Sequence, residues 1–393
     1  MYLSNNFATN YSKIFFLSLI FLSGCGGGGG SSSPSPEVTE VSTPSSQPTS
    51  SQTSSTPQNW NLDAAFDYGM ADGTYTQQIT VIKNNEILKT EYRDIGEIEA
   101  NQLIQSGRDE LVAQYQGVRS NSQVTSWSTA KSFTSILFGI AQDQGLLDID
   151  NKASVYLDEW LGDNRKDITI RNILNMESGL QLPGGVAGGN ITIFNDQISI
   201  CIDLPLVMPF GEQFEYNNCN TMLLGEILER ATGQDFKVFA DTYLFSKLQI
   251  NARWWKDPSG NYLSYCCLDM TQAEFGRFGS MILNKGQDIV SEDYIDDILA
   301  TDSFYNLQFW FGDSTLETRG YDGQIIAIDF DNQLIVLRNS LYFPKTEGDY
   351  RFINDDSGDP SNVEAPLTLP QVVMQIVEDF DMNMFLDILK SNN

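Results

Sequence analysis

The sequence predicts an α+β protein in which an antiparallel sheet is flanked by helices and interrupted by an inserted helical subdomain. Two observations lead to this fold class. Runs of β-forming residues lie at both ends of the folded region, and helical periodicity dominates the chain between them. We therefore expect the N- and C-terminal parts to complete one sheet. The 393 residues, 41% of them hydrophobic, are sufficient for a large buried core.

The strands are predicted from two segments that each contain a turn signal. ITVIKNNEILKTEY (79–92) has two short β-forming runs around an Asn-Asn turn. GQIIAIDFDNQLIVLRNS (323–340) has two such runs joined at Asp331-Asn332, which predicts a hairpin. These segments supply the N-terminal and C-terminal parts of the predicted sheet.

The helices are predicted from the spacing of apolar residues. AKSFTSILFGIAQDQG (130–145) has that spacing, and Gly145 is its predicted C-terminal stop. TMLLGEILERATG (221–233) follows the same pattern and also ends in a glycine. A third amphipathic helix is predicted from Val372 to Leu389. The predicted helical subdomain covers roughly residues 128–270.

The N-terminus predicts export. Lys13 precedes IFFLSLIFLSGC (14–25), an apolar run too short for a permanent membrane span, so residues 1–24 are predicted to be a signal peptide. LSGC, which ends at Cys25, resembles a bacterial lipobox, in which the cysteine is lipidated. A lipid on Cys25 implies a membrane anchor outside the cytoplasm, in the periplasm or at the outer membrane. The alternative is an ordinary signal peptide with an incidental cysteine.

A linker separates this N-terminus from the folded domain. Residues 26–59 consist mainly of Gly, Ser, Thr and Pro, a composition that cannot form a core. We expect residues 25–59 to be the lipidated cysteine and a disordered tether, and residues 60–393 to be one catalytic domain.

Charge and composition exclude several functions. The chain has 52 acidic and 23 basic residues, so its net charge of −29 repels phosphate backbones and predicts no nucleic-acid partner. It has no histidine at all, which excludes a Ser-His-Asp triad and a histidine-containing metal site. We expect neither a metal nor a cofactor. The sequence does not predict the oligomeric state.

The first catalytic candidate is Ser128 with Lys131, in the only Ser-x-x-Lys of the chain. Ser128 lies at the predicted helix start, and Lys131 projects from the same face one turn later. Burial and the positive end of the helix dipole both lower the pKa of an amine there, so Lys131 can act as a base. The Ser128 N–H is available for an oxyanion. The alternative is a serine at a helix start with a solvated lysine.

Two further motifs carry candidate site residues. Tyr216 and Asn218 form the only Tyr-x-Asn, in a loop before a helix, where a phenol and a carboxamide can point the same way. A phenolate near a lysine can share the serine proton. Gly323 opens the predicted hairpin and allows close approach of a substrate, and the Gln324 N–H is a candidate second oxyanion donor. The alternatives are a capping loop with a core tyrosine and an ordinary strand start.

These motifs, in this order, resemble the serine β-lactamase and penicillin-recognising superfamily, and in particular its class C-related branch of esterases and 6-aminohexanoate-dimer hydrolases. The resemblance covers nearly all of residues 60–393 and implies a β-lactamase/transpeptidase-like fold. It is carried by SWSTAKSFTSILFGIA (126–141), ITIRNILNMESGL (168–180), FEYNNCNTMLLGEILERATG (214–233), LDMTQAEFGRFGSMILNKG (268–286) and YDGQIIAID (321–329).

The resemblance also implies a role for each motif residue. Ser128 would be the acyl-accepting nucleophile, with Lys131 as its base and Tyr216 as the proton relay. Asn218 would orient Lys131 and the substrate carbonyl. The N–H groups of Ser128 and Gln324 would form the oxyanion hole.

One departure from the family pattern affects the expected substrate. Where β-lactamases and penicillin-binding proteins have Lys or His before Thr-Gly, this chain has Tyr321-Asp322-Gly323. A phenol and an acid disfavour a substrate carboxylate, so we expect a small neutral or cationic ester or amide. The alternatives are a β-lactamase or peptidoglycan D,D-peptidase, and a non-catalytic binding lipoprotein.

The remaining candidates are aromatic and cysteine residues. Trp254, with Trp255 and Tyr265, is a candidate for the lining of the cleft, and the core is the alternative. Four cysteines remain after Cys25, and they allow three pairings: Cys201, Cys219, Cys266 and Cys267. A vicinal bridge is strained, so we expect Cys266 and Cys267 each to pair elsewhere.

Overall fold

The computed structural model describes residues 60–105, 109–113, 115–183, 191–192, 194–340, 352–353, 363–364 and 380–391. The predicted signal peptide, the Cys25 lipidation site and the tether lie outside these residues. Within the described ranges, no helix is both long enough and apolar enough to cross a membrane.

The described residues form strands and helices along the whole folded region. The strands are β1 (Thr76–Lys83), β2 (Glu86–Tyr92), β3 (Gln123–Thr125), β4 (Arg253–Trp254), β5 (Leu268–Thr271), β6 (Tyr305–Asn306), β7 (Phe309–Phe311), β8 (Leu316–Gly320), β9 (Gln324–Asp329), β10 (Leu334–Ser340), β11 (Phe352–Ile353) and β12 (Val363–Glu364). The helices are α1 (Leu62–Gly69), α2 (Glu97–Gln105), α3 (Asp109–Val112), α4 (Ala130–Asp143), α5 (Ile170–Leu174), α6 (Gln197–Asp203), α7 (Asn218–Thr232), α8 (Phe236–Ala240), α9 (Ser246–Leu248), α10 (Gln272–Leu283), α11 (Glu292–Leu299) and α12 (Met382–Lys390).

The main sheet joins the two ends of the folded region. Its seven strands have the order β2-β1-β10-β9-β8-β7-β6, and every neighbouring pair is antiparallel. The β1–β10 ladder runs from Thr76↔Ser340 to Lys83↔Leu334. The predicted sheet of N- and C-terminal parts is therefore confirmed. A small sheet of order β3-β5-β4, which the sequence analysis did not predict, lies in the helix-rich part of the chain.

Helices cover both faces of the main sheet. On one face, α10 packs so closely that a Cβ on Gly279 would lie 3.0 Å from Ile326, and the buried helix α4 belongs to the same core. On the other face, α1 and α12 pack together through Phe66 and Phe385, whose ring centroids are 6.0 Å apart. Alternate residues of β9 and β10 supply the two cores, as the strand period requires.

The local predictions agree with the structure where it describes them. Both predicted strand pairs are present, as β1–β2 and β9–β10. Helix α4 ends before Gly145, and α7 ends just before Gly233. Both glycines have left-handed backbones, which stop a helix. The predicted helix from Val372 is described only as α12, because residues 372–379 lie outside the described ranges.

The disulfide expectation was wrong for one pair. Cys201 on α6 bonds to Cys219 on α7, and Cys266 bonds to its neighbour Cys267. Helices α6 and α7 pack side by side. This packing brings the Cα atoms of Cys201 and Cys219 to 5.1 Å, so these two cysteines form a disulfide. Cys266 and Cys267 remain at a turn in which Cys267 adopts a left-handed backbone with φ of 64°.

Candidate active site

Ser128 lies in a short 3₁₀ turn, Trp127–Thr129, that leads directly into α4. The turn is held to β5 by two hydrogen bonds: the Ser126 N–H donates to the Leu268 carbonyl at 2.9 Å, and Ser126 Oγ accepts from the Leu268 N–H at 3.0 Å. Trp127 has φ of 47°, an uncommon conformation for a large residue and one often found at functional sites. The chain therefore presents the half-buried Ser128 at the start of a buried helix.

Lys131 is almost completely buried one turn after Ser128, with an exposed fraction of 1%. Its Nζ lies 3.1 Å from Ser128 Oγ, 2.8 Å from Asn218 Oδ1 and 2.8 Å from the Tyr265 carbonyl oxygen. Burial without charge compensation lowers the pKa of the Lys131 amine well below its ordinary range.

The three oxygens around Lys131 are not equivalent. The Asn218 carboxamide oxygen and the Tyr265 carbonyl oxygen can only accept hydrogen bonds, whereas the Ser128 hydroxyl can also donate. When Lys131 is neutral, its two N–H bonds are directed at the first two oxygens, and its lone pair remains for the serine hydroxyl. The geometry is therefore that of an amine able to take the Ser128 proton.

Asn218 is the first residue of α7, and local structure fixes its position. Asn217 caps the helix, since its Oδ1 accepts a 3.0 Å hydrogen bond from the Cys219 N–H. The adjacent Cys219 is bonded to Cys201. The predicted Tyr-x-Asn loop thus brings a carboxamide to a lysine that lies 87 residues earlier in the chain.

Tyr216 lies beside the same lysine, with its ring centroid 5.0 Å from Lys131 Nζ. Its ring is half-buried and also contacts Trp310 at a centroid distance of 5.9 Å. Trp310 also contacts Phe214, Phe304 and Tyr305, at ring-centroid distances of 6.0, 6.2 and 4.8 Å. We call Phe214, Tyr216, Phe304, Tyr305 and Trp310 the aromatic cluster.

The β8–β9 connection lies against the turn that carries Ser128. A Cβ on Gly320 would lie 2.3 Å from the Ser126 carbonyl oxygen, so only glycine allows this approach. Thr129 Oγ1 donates to the Gln324 carbonyl at 3.3 Å. Tyr321, Asp322 and Gly323 form the 3₁₀ turn between the strands, with Gly323 at φ of 73°. The ring of Tyr321 contacts that of Trp127 at 5.9 Å.

The structure brings together Ser128, Lys131, Tyr216 and Asn218, and places Gln324 next to the turn that carries Ser128. It contradicts the expected cleft position of Trp254. This side chain is 0% exposed, and its indole N–H donates to the Leu263 and Cys266 carbonyls in the core at 2.8 and 3.0 Å. The Trp254 ring packs against Phe236 at a centroid distance of 4.7 Å. Burial of the ring in this aromatic contact is more favourable than its exposure to water in a cleft.

Two features of the site were not predicted from the sequence. The oxygen of Tyr265 that contacts Lys131 is a backbone atom, so no pattern of residue types predicts this contact. The aromatic cluster does have a signal, the run FYNLQFWF (304–311), in which five of eight residues are aromatic. Among the described residues, no group of three or more His, Cys, Asp or Glu side chains could hold a metal ion.

Comparison with known proteins gives a family match. The family model described as Beta-lactamase matches residues 62–266, slightly more than half of the chain. A penicillin-binding protein of Bacillus subtilis is 28% identical over 142 residues, which cover 34% of this chain. The match spans only 31% of that curated relative.

Solved structures share the fold at low sequence identity. A Bacillus anthracis protein assigned as a 6-aminohexanoate-dimer hydrolase is 17% identical with a TM-score of 0.59, over 84% of this chain and 81% of that one. A D-stereospecific amidohydrolase from Streptomyces is 14% identical with a TM-score of 0.54, over 77% of this chain and 96% of that one. These similarities concern the fold.

Proposed function

Because the chain belongs to the beta-lactamase family of serine hydrolases, we propose that it is an exported hydrolase that cleaves a carboxylic ester or amide through a Ser128 acyl-enzyme. The observation that carries the proposal is the environment of Lys131. A buried amine with a lowered pKa has two acceptor-only partners, and its third contact is the Ser128 hydroxyl at 3.1 Å.

In the first half of the reaction, Ser128 Oγ bonds to the substrate carbonyl carbon while its proton passes to Lys131 Nζ. The proton reaches the leaving oxygen or nitrogen through the Tyr216 phenol as the bond from that atom to the carbonyl carbon breaks. The N–H groups of Ser128 and Gln324 stabilise the negative oxygen of the tetrahedral intermediate.

In the second half, water attacks the acyl-enzyme. The same lysine–tyrosine pair removes a proton from the water and returns one to Ser128 Oγ, releasing the carboxylic acid. Asn218 keeps the amine aimed at Ser128 in both halves, because its Oδ1 holds one N–H of Lys131 at 2.8 Å.

The substrate class follows from two features near the nucleophile. Tyr321-Asp322-Gly323 supplies no cation for a substrate carboxylate, and the net charge of the chain is −29. The aromatic cluster presents the half-buried Trp310 beside Tyr216, and it suits an apolar substituent. We propose a neutral or cationic small molecule with an apolar group next to the scissile bond.

Export is supported by cysteine chemistry as well as by the N-terminal sequence. The described chain contains two disulfides, and disulfides persist in oxidising compartments outside the cytoplasm. We propose that Cys25 is lipidated and holds the enzyme at a bacterial membrane. Mass spectrometry of the mature N-terminus tests this, and an unmodified start at another residue contradicts it.

The catalytic proposal is tested by covalent labelling with a fluorophosphonate probe. Wild-type protein and Ser120→Ala, which changes an exposed serine earlier in the same segment, should be labelled equally. Ser128→Ala should not be labelled, and Lys131→Ala should react about 10²- to 10⁴-fold more slowly. Undiminished labelling of Ser128→Ala would place the nucleophile elsewhere.

A panel of p-nitrophenyl esters, anilides and β-lactams then separates the candidate activities. Turnover of esters or amides without acylation by a labelled penicillin supports the proposal. Stable acylation by penicillin favours the D,D-peptidase alternative, and rapid β-lactam hydrolysis favours a β-lactamase. If the probe does not label the protein and no compound of the panel is hydrolysed, the result favours the alternative of a non-catalytic binding lipoprotein.

A further inference from the structure

Arg338 is a completely buried arginine on β10 whose guanidinium reaches the β8–β9 connection. We propose that Arg338 is a positioning residue for the oxyanion hole, because it fixes the Gly323–Gln324 peptide so that the Gln324 N–H faces Ser128. The inference rests on the proposed function, since it assigns a purpose to a contact outside the reacting groups.

The first step in the argument is the place where Arg338 acts. The β9–β10 ladder ends at the pair Ile325↔Arg338, two residues after Gly323. Gly323 has a left-handed backbone and lies outside that ladder. Arg338 Nη1 donates to the Gly323 carbonyl at 3.0 Å. A side-chain donor thus acts where the regular backbone pairing has stopped.

The second step is the rigidity of the guanidinium. Arg338 Nε donates to Thr76 Oγ1 at 2.9 Å, and Nη2 donates to the Thr74 carbonyl at 2.7 Å. Its Cζ lies 4.1 Å from the centroid of the Phe380 ring. A planar group held at three nitrogens and stacked on a ring cannot rotate, so the position of the Gly323 carbonyl is fixed as well.

The third step is the direction of the peptide. The Gln324 carbonyl points to the turn that carries Ser128, since it accepts a 3.3 Å hydrogen bond from Thr129 Oγ1. Gln324 has an extended backbone, and in an extended residue the N–H and the carbonyl point to the same edge of the strand. The Gln324 N–H is therefore directed to the side of Ser128. In a trans peptide the C=O and N–H point in opposite directions, so the Gly323 carbonyl of the same peptide points away from Ser128, to the donor on Arg338.

Electrostatics adds to the geometry. A cationic donor on the carbonyl polarises the peptide, which makes its N–H a stronger donor to a developing oxyanion. The Gln324 side chain is also held, since its Nε2 donates to the Ser340 carbonyl at 3.1 Å and its Oε1 accepts from Asn339 Nδ2 at 3.0 Å. The residue that carries the proposed donor is thus fixed on both its backbone and its side chain.

The test compares Arg338→Met, which removes the three hydrogen bonds described above, with Arg338→Lys, which keeps the charge. The control is Arg165→Lys, a change to another largely buried arginine whose Nη2 pairs with Asp163 at 2.7 Å and whose Nη1 donates to the Leu204 carbonyl at 3.0 Å. Folding is checked by circular dichroism and thermal unfolding. The readouts are kcat and KM for a p-nitrophenyl ester, and the inhibition constant of phenylboronic acid, whose serine adduct places an oxygen in the oxyanion hole.

We expect Arg338→Met to lower kcat about 10- to 100-fold, because loss of an entire oxyanion donor costs about 10²- to 10³-fold. The affinity for phenylboronic acid should fall in parallel, with KM nearly unchanged, and Arg338→Lys should be intermediate. Arg165→Lys should lower the thermal midpoint without changing kcat or inhibitor affinity. If Arg338→Met does not fold, Arg338→Lys alone carries the test.

The inference is overturned if the folded Arg338 variants match wild type in kcat and inhibitor affinity. If wild-type protein is neither labelled at Ser128 nor active, the proposed function fails by itself. Crystal structures of the Arg338 variants then test the inference. A rotated Gly323–Gln324 peptide supports the positioning role of Arg338, and an unchanged peptide contradicts it.

Discussion

The Tyr265 carbonyl oxygen accepts a 2.8 Å hydrogen bond from Lys131 Nζ, and the two residues that follow Tyr265 form a disulfide with each other. The next residue, Leu268, makes two hydrogen bonds with Ser126, which lies two residues before the proposed nucleophile. One short backbone segment, 265–268, therefore supports both the proposed base and the turn that carries Ser128.

The first prediction concerns that vicinal disulfide. Replacing both cysteines, Cys266→Ala with Cys267→Ala, should relax the turn and displace the Tyr265 carbonyl from Lys131. We expect kcat to fall about tenfold, because a shift of about 1 Å in a positioning group can cost up to about 10²-fold. Steady-state ester hydrolysis measures this, with Ser259→Ala in an exposed loop as the control. An unchanged kcat would mean that the disulfide does not maintain the site.

The second prediction concerns the bridge between α6 and α7. The double variant Cys201→Ser with Cys219→Ser opens a loop with a sequence separation of 18 residues, so the free energy of unfolding should fall by about 3 kcal/mol. Urea titration measures the change, and Ser199→Ala, on the exposed side of α6, is the control. A loss within about 0.5 kcal/mol would show that the bridge adds nothing to stability.

The third prediction is a pH dependence of stability. Burial lowers the pKa of Lys131 in the folded protein below its ordinary value of 10.5. Between these two pKa values the unfolded chain binds a proton that the folded chain does not, so stability rises with pH there, by up to about 1.4 kcal/mol per pH unit. Below the folded pKa, the full cost of burying the ammonium remains.

Lys131→Met lacks this titration, so wild type should gain stability relative to the variant as pH rises from neutral to about 10. Urea unfolding of both proteins across that series gives the difference directly. Parallel stability curves for the two proteins would contradict a lowered pKa. Wild-type kcat should also rise with pH along its acid limb, since the neutral amine is the active form.

The fourth prediction concerns the aromatic cluster. If Trp310 contacts the apolar group of the substrate, kcat/KM should rise along a series of p-nitrophenyl esters of increasing chain length, by up to about fourfold per methylene. Trp310→Ala should flatten that dependence. Tyr243→Ala, whose ring packs on Phe239 instead, should leave it unchanged. An identical slope in Trp310→Ala would place the acyl group elsewhere.

Much of the local structure could be predicted because it depends on neighbouring residues. The apolar spacing in 130–145 marked α4, and the Ser128–Lys131 contact follows from one turn of that helix. Gly145 and Gly233 marked the helix ends because each requires a left-handed backbone. The hairpin β9–β10 followed from two β-forming runs and a short turn.

The features that were missed depend on tertiary packing. The Tyr265 carbonyl lies 134 residues after Lys131 in the chain, and a backbone oxygen carries no residue-type signal. Trp254 is a candidate for the cleft because an aromatic side chain suits either a core or a binding surface. Only the tertiary fold decides between the two positions. Local strain disfavours a bridge between neighbouring residues, so the sequence predicts other partners for Cys266 and Cys267. The packing of α6 against α7 instead pairs Cys201 with Cys219, which leaves Cys266 and Cys267 to bond to each other.

The pairing of β1 with β10 also determines at which stage of protein synthesis the active site can form. Thr76 and Ser340 are register partners, so the sheet cannot form until the ribosome has made more than 250 residues beyond the end of β1. Arg338 reaches Gly323 from the same late strand and anchors itself on Thr74 and Thr76. A nascent polypeptide has its serine and lysine side by side long before it has an ordered oxyanion peptide. Hydrolytic competence should therefore arise only once translation has passed β10.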